Sequence, residues 1–145
     1  MSKTRVLFLC IHNSARSQMA EAYLKKFAGD IFEVESAGLE PGTLNPLVVE
    51  VMKEDGIDIS GNATNDVFEY YRQGKSFYYV ITVCDAANAE RCPVFPQVYK
   101  TIAWSFTDPG SFNGTQDDKL AQTRIVRDQI KQAVLDFIKE YAPAA

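Results

Sequence analysis

The feature that most constrains the fold lies near the N-terminus. The apolar run Val6-Leu7-Phe8-Leu9 ends at Cys10 and is followed by the short stretch Ile11-His12-Asn13-Ser14-Ala15-Arg16-Ser17. From Ser17 the apolar positions Met19, Ala20, Tyr23, Leu24 and Phe27 recur at helical spacing. A strand without polar alternation is one covered on both faces, as in a parallel sheet. The spacing therefore predicts a strand over residues 5–9, a loop, and a helix that begins near Ser17 and stops at Gly29 with Lys25 and Lys26 near its end.

Further along, strand and helix patterns alternate. A second strand is expected over 31–37, ended by Gly38. Pro41-Gly42 is a turn, and Asn45-Pro46 has the form of an N-cap followed by proline at the first helical position. Leu47, Val48, Val51 and Met52 mark the buried face of that helix, which Gly56 closes. Residues 57–60 read as a short extended piece and 61–65 as a polar loop. A short helix over 66–73 should turn Val67, Phe68 and Tyr71 inward. Residues 77–83 form the strongest strand signal and end at Cys84. Residues 85–91 read as a mobile surface loop closed by Cys92-Pro93, and 99–103 as a fourth strand. Residues 110–114 read as a further loop, followed by a long helix over 115–141 with Ile130, Val134, Phe137, Ile138 and Tyr141 on one face. This order implies an α/β fold: a four-stranded parallel sheet with helices on both faces, in a single domain spanning residues 1–145.

In such sheets ligands bind beyond the carboxyl ends of the strands. Cys10, Cys84 and Asp108 each follow a strand end and should gather at one edge. Cys10 on its own fits an inert buried thiol equally well. Its context points to chemistry, because oriented amides and the dipole at a helix N-terminus favour a thiolate. The Ser17 hydroxyl is placed to donate a further hydrogen bond. Arg16 is either a solvated first-turn charge or a guanidinium that grips two oxygens of a phosphate-like anion, which lysine does less well. Asn13 and Ser14 are plausible loop formers, asparagine because it tolerates left-handed backbone. The loop Ile11, His12, Asn13, Ser14, Ala15 and Arg16 is thus a candidate cradle for a tetrahedral oxyanion.

Composition narrows the partners. A net charge of −4 with no basic stripe argues against nucleic acid. Neither a signal peptide nor an apolar run of roughly 20 residues is present, so a cytoplasmic protein without membrane attachment is expected. The three cysteines do not suit a disulfide framework in that compartment; reactive or redox roles suit them better. A monomer is expected.

The string Cys10-Ile11-His12-Asn13-Ser14-Ala15-Arg16-Ser17-Gln18-Met19-Ala20-Glu21-Ala22 resembles the low-molecular-weight protein tyrosine phosphatase superfamily, and within it the thioredoxin-coupled arsenate reductases. The resemblance extends through Ser36-Ala37-Gly38, Asn45-Pro46, Asp58-Ile59-Ser60, Cys84 with Cys92-Pro93, and Trp104 to Asp108-Pro109. It implies that Cys10 attacks bound arsenate, with Asp108 as general acid. Cys84 then attacks Cys10 and releases arsenite, Cys92 attacks Cys84, and thioredoxin reduces the Cys84–Cys92 disulfide. No cofactor is required on this reading. A potassium ion beside the loop, on Asn13, Glu21, Ser36 and Asp66, is a family feature these positions match; capping and side-chain hydrogen bonds are their other use.

This chain departs from the pattern in three places. His12, the only histidine, stands where glycine is common, and either contacts the anion or merely tolerates the loop geometry. Ala15 stands where a cysteine is frequent, and the loop between Cys84 and Cys92 is one residue longer than in some relatives. Two other functions remain open. A monoester phosphatase would leave Cys84 and Cys92 without a role, and Asp108-Pro109-Gly110 lacks the aromatic residues such phosphatases often place there. A non-enzymatic oxyanion-binding module is the other.

Overall fold

The computed structural model describes residues 3–83 and 93–143. Cys84, the expected loop over 85–91 and Cys92 lie outside the described residues. The fold is an α/β sandwich. β1 (Thr4–Cys10), β2 (Phe32–Gly38), β3 (Tyr79–Thr82) and β4 (Lys100–Ala103) form one parallel sheet in the order β2-β1-β3-β4. Among the described residues the helices are α1 (Arg16–Ala28), α2 (Pro46–Glu54), α3 (Val67–Arg72) and α4 (Gln116–Tyr141).

The apolar run of β1 has the burial expected of it. Val6, Phe8 and Cys10 face a core built with α1, α2 and α4. Leu7 and Leu9 face a second, smaller core with Val67 of α3, Phe77, Val80 and Phe95. Each of Val6, Leu7, Phe8 and Leu9 is completely buried, so the two layers cover both faces of the central strand.

The helix ends follow their local chemistry. Asn45 caps α2 by accepting from the Leu47 N–H at 2.9 Å, with Pro46 at the first position. Thr115 and Asp118 form a reciprocal capping box at the start of α4, each bond 3.1 Å long.

Several expectations need correction. Phe27 is 39% exposed and stacks on Tyr23 rather than entering the core. Tyr71 is also exposed; Val67 is buried, while Phe68 and Tyr70 are partly buried, because α3 is too short to bury more than one stripe. The piece over 57–60 pairs with no strand among the described residues and ends in a turn at Ser60, whose backbone N–H and hydroxyl both donate to Asp58. The expected loop after Asp108 begins with a 3-10 turn, Pro109–Ser111, capped by Asp108 itself.

Register fixes where the site lies. Cys10 pairs with Gly38, Leu9 with Thr82, and Thr82 with Ala103. The carboxyl ends of all four strands therefore share one edge. Trp104 leaves that edge packed against Phe8, with ring centroids 5.8 Å apart, and starts the segment that leads to Asp108.

Candidate active site

β1 delivers Cys10 to the sheet edge at 3% exposure, and the chain then turns through 11–15 into α1. Two donors meet on the sulfur. The Asn13 N–H points at Sγ from 3.0 Å, and the Ser17 hydroxyl lies 2.9 Å away. Because the Ser17 oxygen already accepts from Asn13 Nδ2 at 2.8 Å, its own hydrogen is available to the sulfur. This arrangement is complementary to a thiolate.

The turn depends on Asn13. It is fully buried and has φ of 53°, a left-handed conformation that asparagine tolerates. Outside the turn, the segment after β2 takes up the loop carbonyls. Leu39, Glu40, Gly42 and Asn45 donate their N–H groups to the carbonyls of Cys10, Ile11, His12 and Ser14 at 2.7–3.2 Å. Those four carbonyls are thus occupied from outside the loop, while the Asn13 N–H is turned to the sulfur. Gly38 makes the close approach feasible, since a Cβ there would lie 2.7 Å from the Ile11 oxygen and 2.8 Å from the Asn13 nitrogen.

The N-terminus of α1 completes the cradle. Its N-cap, Ala15, has no side-chain cap, and no acidic residue occupies the first turn. The helix thus begins with N–H groups that an anion can satisfy. Arg16, at 7% exposure, lies beside them. Its NH1 donates to the Phe106 carbonyl at 3.1 Å, and its NH2 is 3.8 Å from Asp108 Oδ2. The structure therefore brings together Cys10, the 11–16 loop, Arg16, Ser17 and Asp108. Asp108 is 42% exposed, open to a proton from solvent. Cys84 and Cys92 lie outside the described residues.

His12 is exposed and reaches the segment after β2. Its Nδ1 lies 2.8 Å from the Glu40 carbonyl oxygen, so that ring nitrogen carries a hydrogen and donates. This ties the loop to the segment after β2.

The four residues matched to a potassium site do not fit a cation as they stand. Asn13 turns its Nδ2 hydrogens, not its oxygen, toward the Ser36 hydroxyl at 2.9 Å; its oxygen accepts from the Asn65 N–H at 2.8 Å. Ser36 donates to Glu21 Oε1 at 2.5 Å, and the other Glu21 oxygen takes the Lys25 ammonium at 2.6 Å. Asp66 caps α3 by accepting from Phe68. These side chains serve one another as donors and acceptors, and no step below passes through a metal.

Sequence reasoning assigned no role to Gln18 or Asn65, nor to Gly38 beyond ending a strand, yet all three hold the loop. Gly38 carried the one readable signal, a glycine at the strand end that faces Cys10.

The chain matches the model of the low molecular weight phosphotyrosine protein phosphatase family over residues 5–143. Among curated relatives, the arsenate reductase of Halalkalibacterium halodurans is 41% identical over 137 residues, 94% of this chain and 96% of that protein. That of Bacillus subtilis is 42% identical with the same coverage. A solved structure described as an arsenate reductase in the phosphate binding state superposes with a TM-score of 0.78 at 29% identity, over 96% of this chain and 99% of that one. The thioredoxin-dependent arsenate reductase of Corynebacterium glutamicum gives 0.72 at 27%, over 95% of this chain and 61% of that one. The likeness to arsenate reductases read from the sequence is borne out, and with a family match from end to end of the fold the chain belongs to the low molecular weight phosphotyrosine protein phosphatase family.

Proposed function

We propose that this chain reduces arsenate to arsenite in the cytoplasm and draws its electrons from its own cysteines and, finally, from thioredoxin. The observation that carries the reading is the convergence on Cys10: two donors on its sulfur, an uncapped helix N-terminus beside it, and Arg16 linked to Asp108. The names of the relatives support arsenate as the oxyanion. The thioredoxin-dependent neighbour supports thioredoxin as the reductant.

The chemistry follows from the groups present. Arsenate lies in the 11–16 loop, its oxygens on the amides and the Arg16 guanidinium. The Cys10 thiolate forms a sulfur–arsenic bond as one arsenate oxygen departs as water, with a proton from Asp108. The Cys84 thiolate attacks the Cys10 sulfur, and the electron pair of the sulfur–arsenic bond stays on arsenic. Arsenic leaves as arsenite, and a Cys10–Cys84 disulfide remains. Cys92 attacks Cys84, which frees Cys10 and leaves Cys84–Cys92 for thioredoxin to reduce. Cys84 and Cys92 decide between reduction and hydrolysis, because a phosphatase needs only the first thiol.

The test is a coupled assay with arsenate, thioredoxin, thioredoxin reductase and NADPH. Arsenate-dependent oxidation of NADPH is expected. Hydrolysis of a phosphotyrosine analogue without that oxidation would identify a phosphatase instead. Oxyanion binding with neither turnover would identify a binding module.

A further inference from the structure

Gln18 is a large polar side chain at 1% exposure that the chemistry above does not use. It stands on the first turn of α1 and is fully engaged. Its Nε2 donates to the Asn13 carbonyl at 3.0 Å and to the Ala63 carbonyl at 3.1 Å, and lies 3.3 Å from Asn13 Oδ1. Its Oε1 accepts from Asn62 Nδ2 at 3.1 Å. A core position that only needed filling would be served by leucine, with no amide to satisfy.

The partners give the contact a direction. Asn13 is the residue whose left-handed backbone turns its N–H onto the Cys10 sulfur. Gln18 grips the carbonyl of that same residue and, through Ala63 and Asn62, ties it to the segment after α2. The segment adds a second hold one step on, where the Asn65 N–H donates to Asn13 Oδ1 at 2.8 Å. Thr64 donates to the Gly42 carbonyl at 2.7 Å, on the strand-side strap of the loop. Residues 62–65, which the sequence presents as an ordinary polar loop, thus form a brace for the anion loop with Gln18 at its centre.

We propose that Gln18 is a positioning residue for the oxyanion chemistry: by holding the Asn13 carbonyl it fixes that residue's left-handed backbone, so that the Asn13 N–H stays on the Cys10 sulfur and the loop keeps its shape around a bound oxyanion. It touches neither the sulfur nor the anion, and acts through Asn13. The proposal rests on Cys10 as the nucleophile of an oxyanion site and does not depend on which oxyanion is turned over. It predicts that loss of the carboxamide weakens both thiol reactivity and anion capture in a chain that is still folded.

The experiment uses the full-length chain and its Gln18→Leu and Asn62→Ala variants, with folding checked by circular dichroism. Cys10 is alkylated with iodoacetamide, and its modification is followed by peptide mass as inorganic phosphate is raised. In Gln18→Leu the Cys10 alkylation rate is expected to fall about five-fold, with a similar rise in the phosphate concentration that halves it, the size of effect expected if, of the bonds lost, only the one to the Asn13 carbonyl acts on the sulfur. In Asn62→Ala, where only the bond to Gln18 Oε1 is lost, about a two-fold change in the same direction is expected. A purely structural role would lower thermal stability and leave both readouts at the wild-type value, which would overturn the proposal. Should Gln18→Leu fail to fold, Asn62→Ala decides: unchanged reactivity and protection overturn the proposal. Absence of phosphate protection in the wild-type chain overturns the oxyanion site and this proposal together, whereas protection that is equal in wild type and variants removes Gln18 alone.

Discussion

The Arg16 guanidinium joins two segments that are far apart in sequence: one nitrogen donates to the Phe106 carbonyl at 3.1 Å while another lies 3.8 Å from Asp108 Oδ2. In the proposed reaction the group that grips the oxyanion is thus also the one that lies beside the acid. Removing Asp108 should therefore impair proton delivery far more than it impairs the fold. Asp108→Ala is predicted to slow arsenate-dependent turnover about 10²–10⁴-fold. Stability should fall by only about 1–2 kcal/mol, because the half-exposed pair with Arg16 is well screened and what remains is the cap on the 3-10 turn. Single-turnover kinetics beside thermal unfolding separates the two effects.

Gly38 is where β2 comes closest to the loop. A Cβ there meets backbone atoms of residues 11–13, none of which can swing aside as a side chain can. Gly38→Ala is predicted to cost about 1–3 kcal/mol from overpacking. It should also raise the phosphate concentration needed to shield Cys10 from alkylation. Urea unfolding and the protection assay check the two parts.

Ser17 connects the sulfur to Asn13 by bonds of 2.9 and 2.8 Å. Ser17→Ala leaves a buried Asn13 amide hydrogen without its acceptor, at a cost of about 1–3 kcal/mol, and takes one donor from the sulfur. Cys10 should be alkylated more slowly than in the wild type, with the fold retained. An equal or faster rate would show that the hydroxyl does not assist the thiol.

Local rules reached part of this site. The strand ending at Cys10, the Asn45-Pro46 cap and the left-handed tolerance of Asn13 are properties of neighbouring residues, so they can be read from short stretches. The brace could not be read in that way. Gln18 meets Asn62 and Ala63 across more than forty positions, and only the folded chain places them together. Phe27 and Tyr71 were misplaced for a related reason: helical spacing tells which residues share a face, but not how far the neighbouring layer extends over it. The reverse holds for residues 77–83, where aromatic and β-branched residues signalled a longer strand than the four residues that pair. The potassium site came from the resemblance and from oxygens of a suitable type, whereas the hydrogen bonds among Asn13, Ser36, Glu21 and Lys25 are a matter of orientation.

Away from the site, α1 is pinned to the end of α2 by the Tyr23 hydroxyl, which donates to Asp55 Oδ2 at 2.6 Å. That bond, with the Lys131 ammonium, holds the Asp55 carboxyl below its ordinary value of 3.8. Burial first, and then Asp55, pushes the Tyr23 hydroxyl well above its ordinary 10.0. The signs are opposite at the two ends of the pH scale. The stability from a depressed carboxylate is present above its unfolded value and is lost as pH falls through its folded one. The stability from a raised phenol is intact below its unfolded value and is lost as pH rises beyond it. Asp55→Asn should accordingly be less stable than wild type at neutral pH, with the gap narrowing below about pH 4. Tyr23→Phe should show a flatter loss above about pH 10. Urea midpoints across both ranges check this.

In the proposed reaction Cys10 attacks the oxyanion and Cys84 then resolves the adduct. The most direct measurement is the intact and peptide mass of the Cys92→Ser chain after a single exposure to arsenate without reductant. One arsenite released per chain, the loss of two hydrogens, and a peptide pair joined through Cys10 and Cys84 are expected. Release of arsenite with Cys10 still a free thiol, or a chain unchanged in mass, would contradict that reaction.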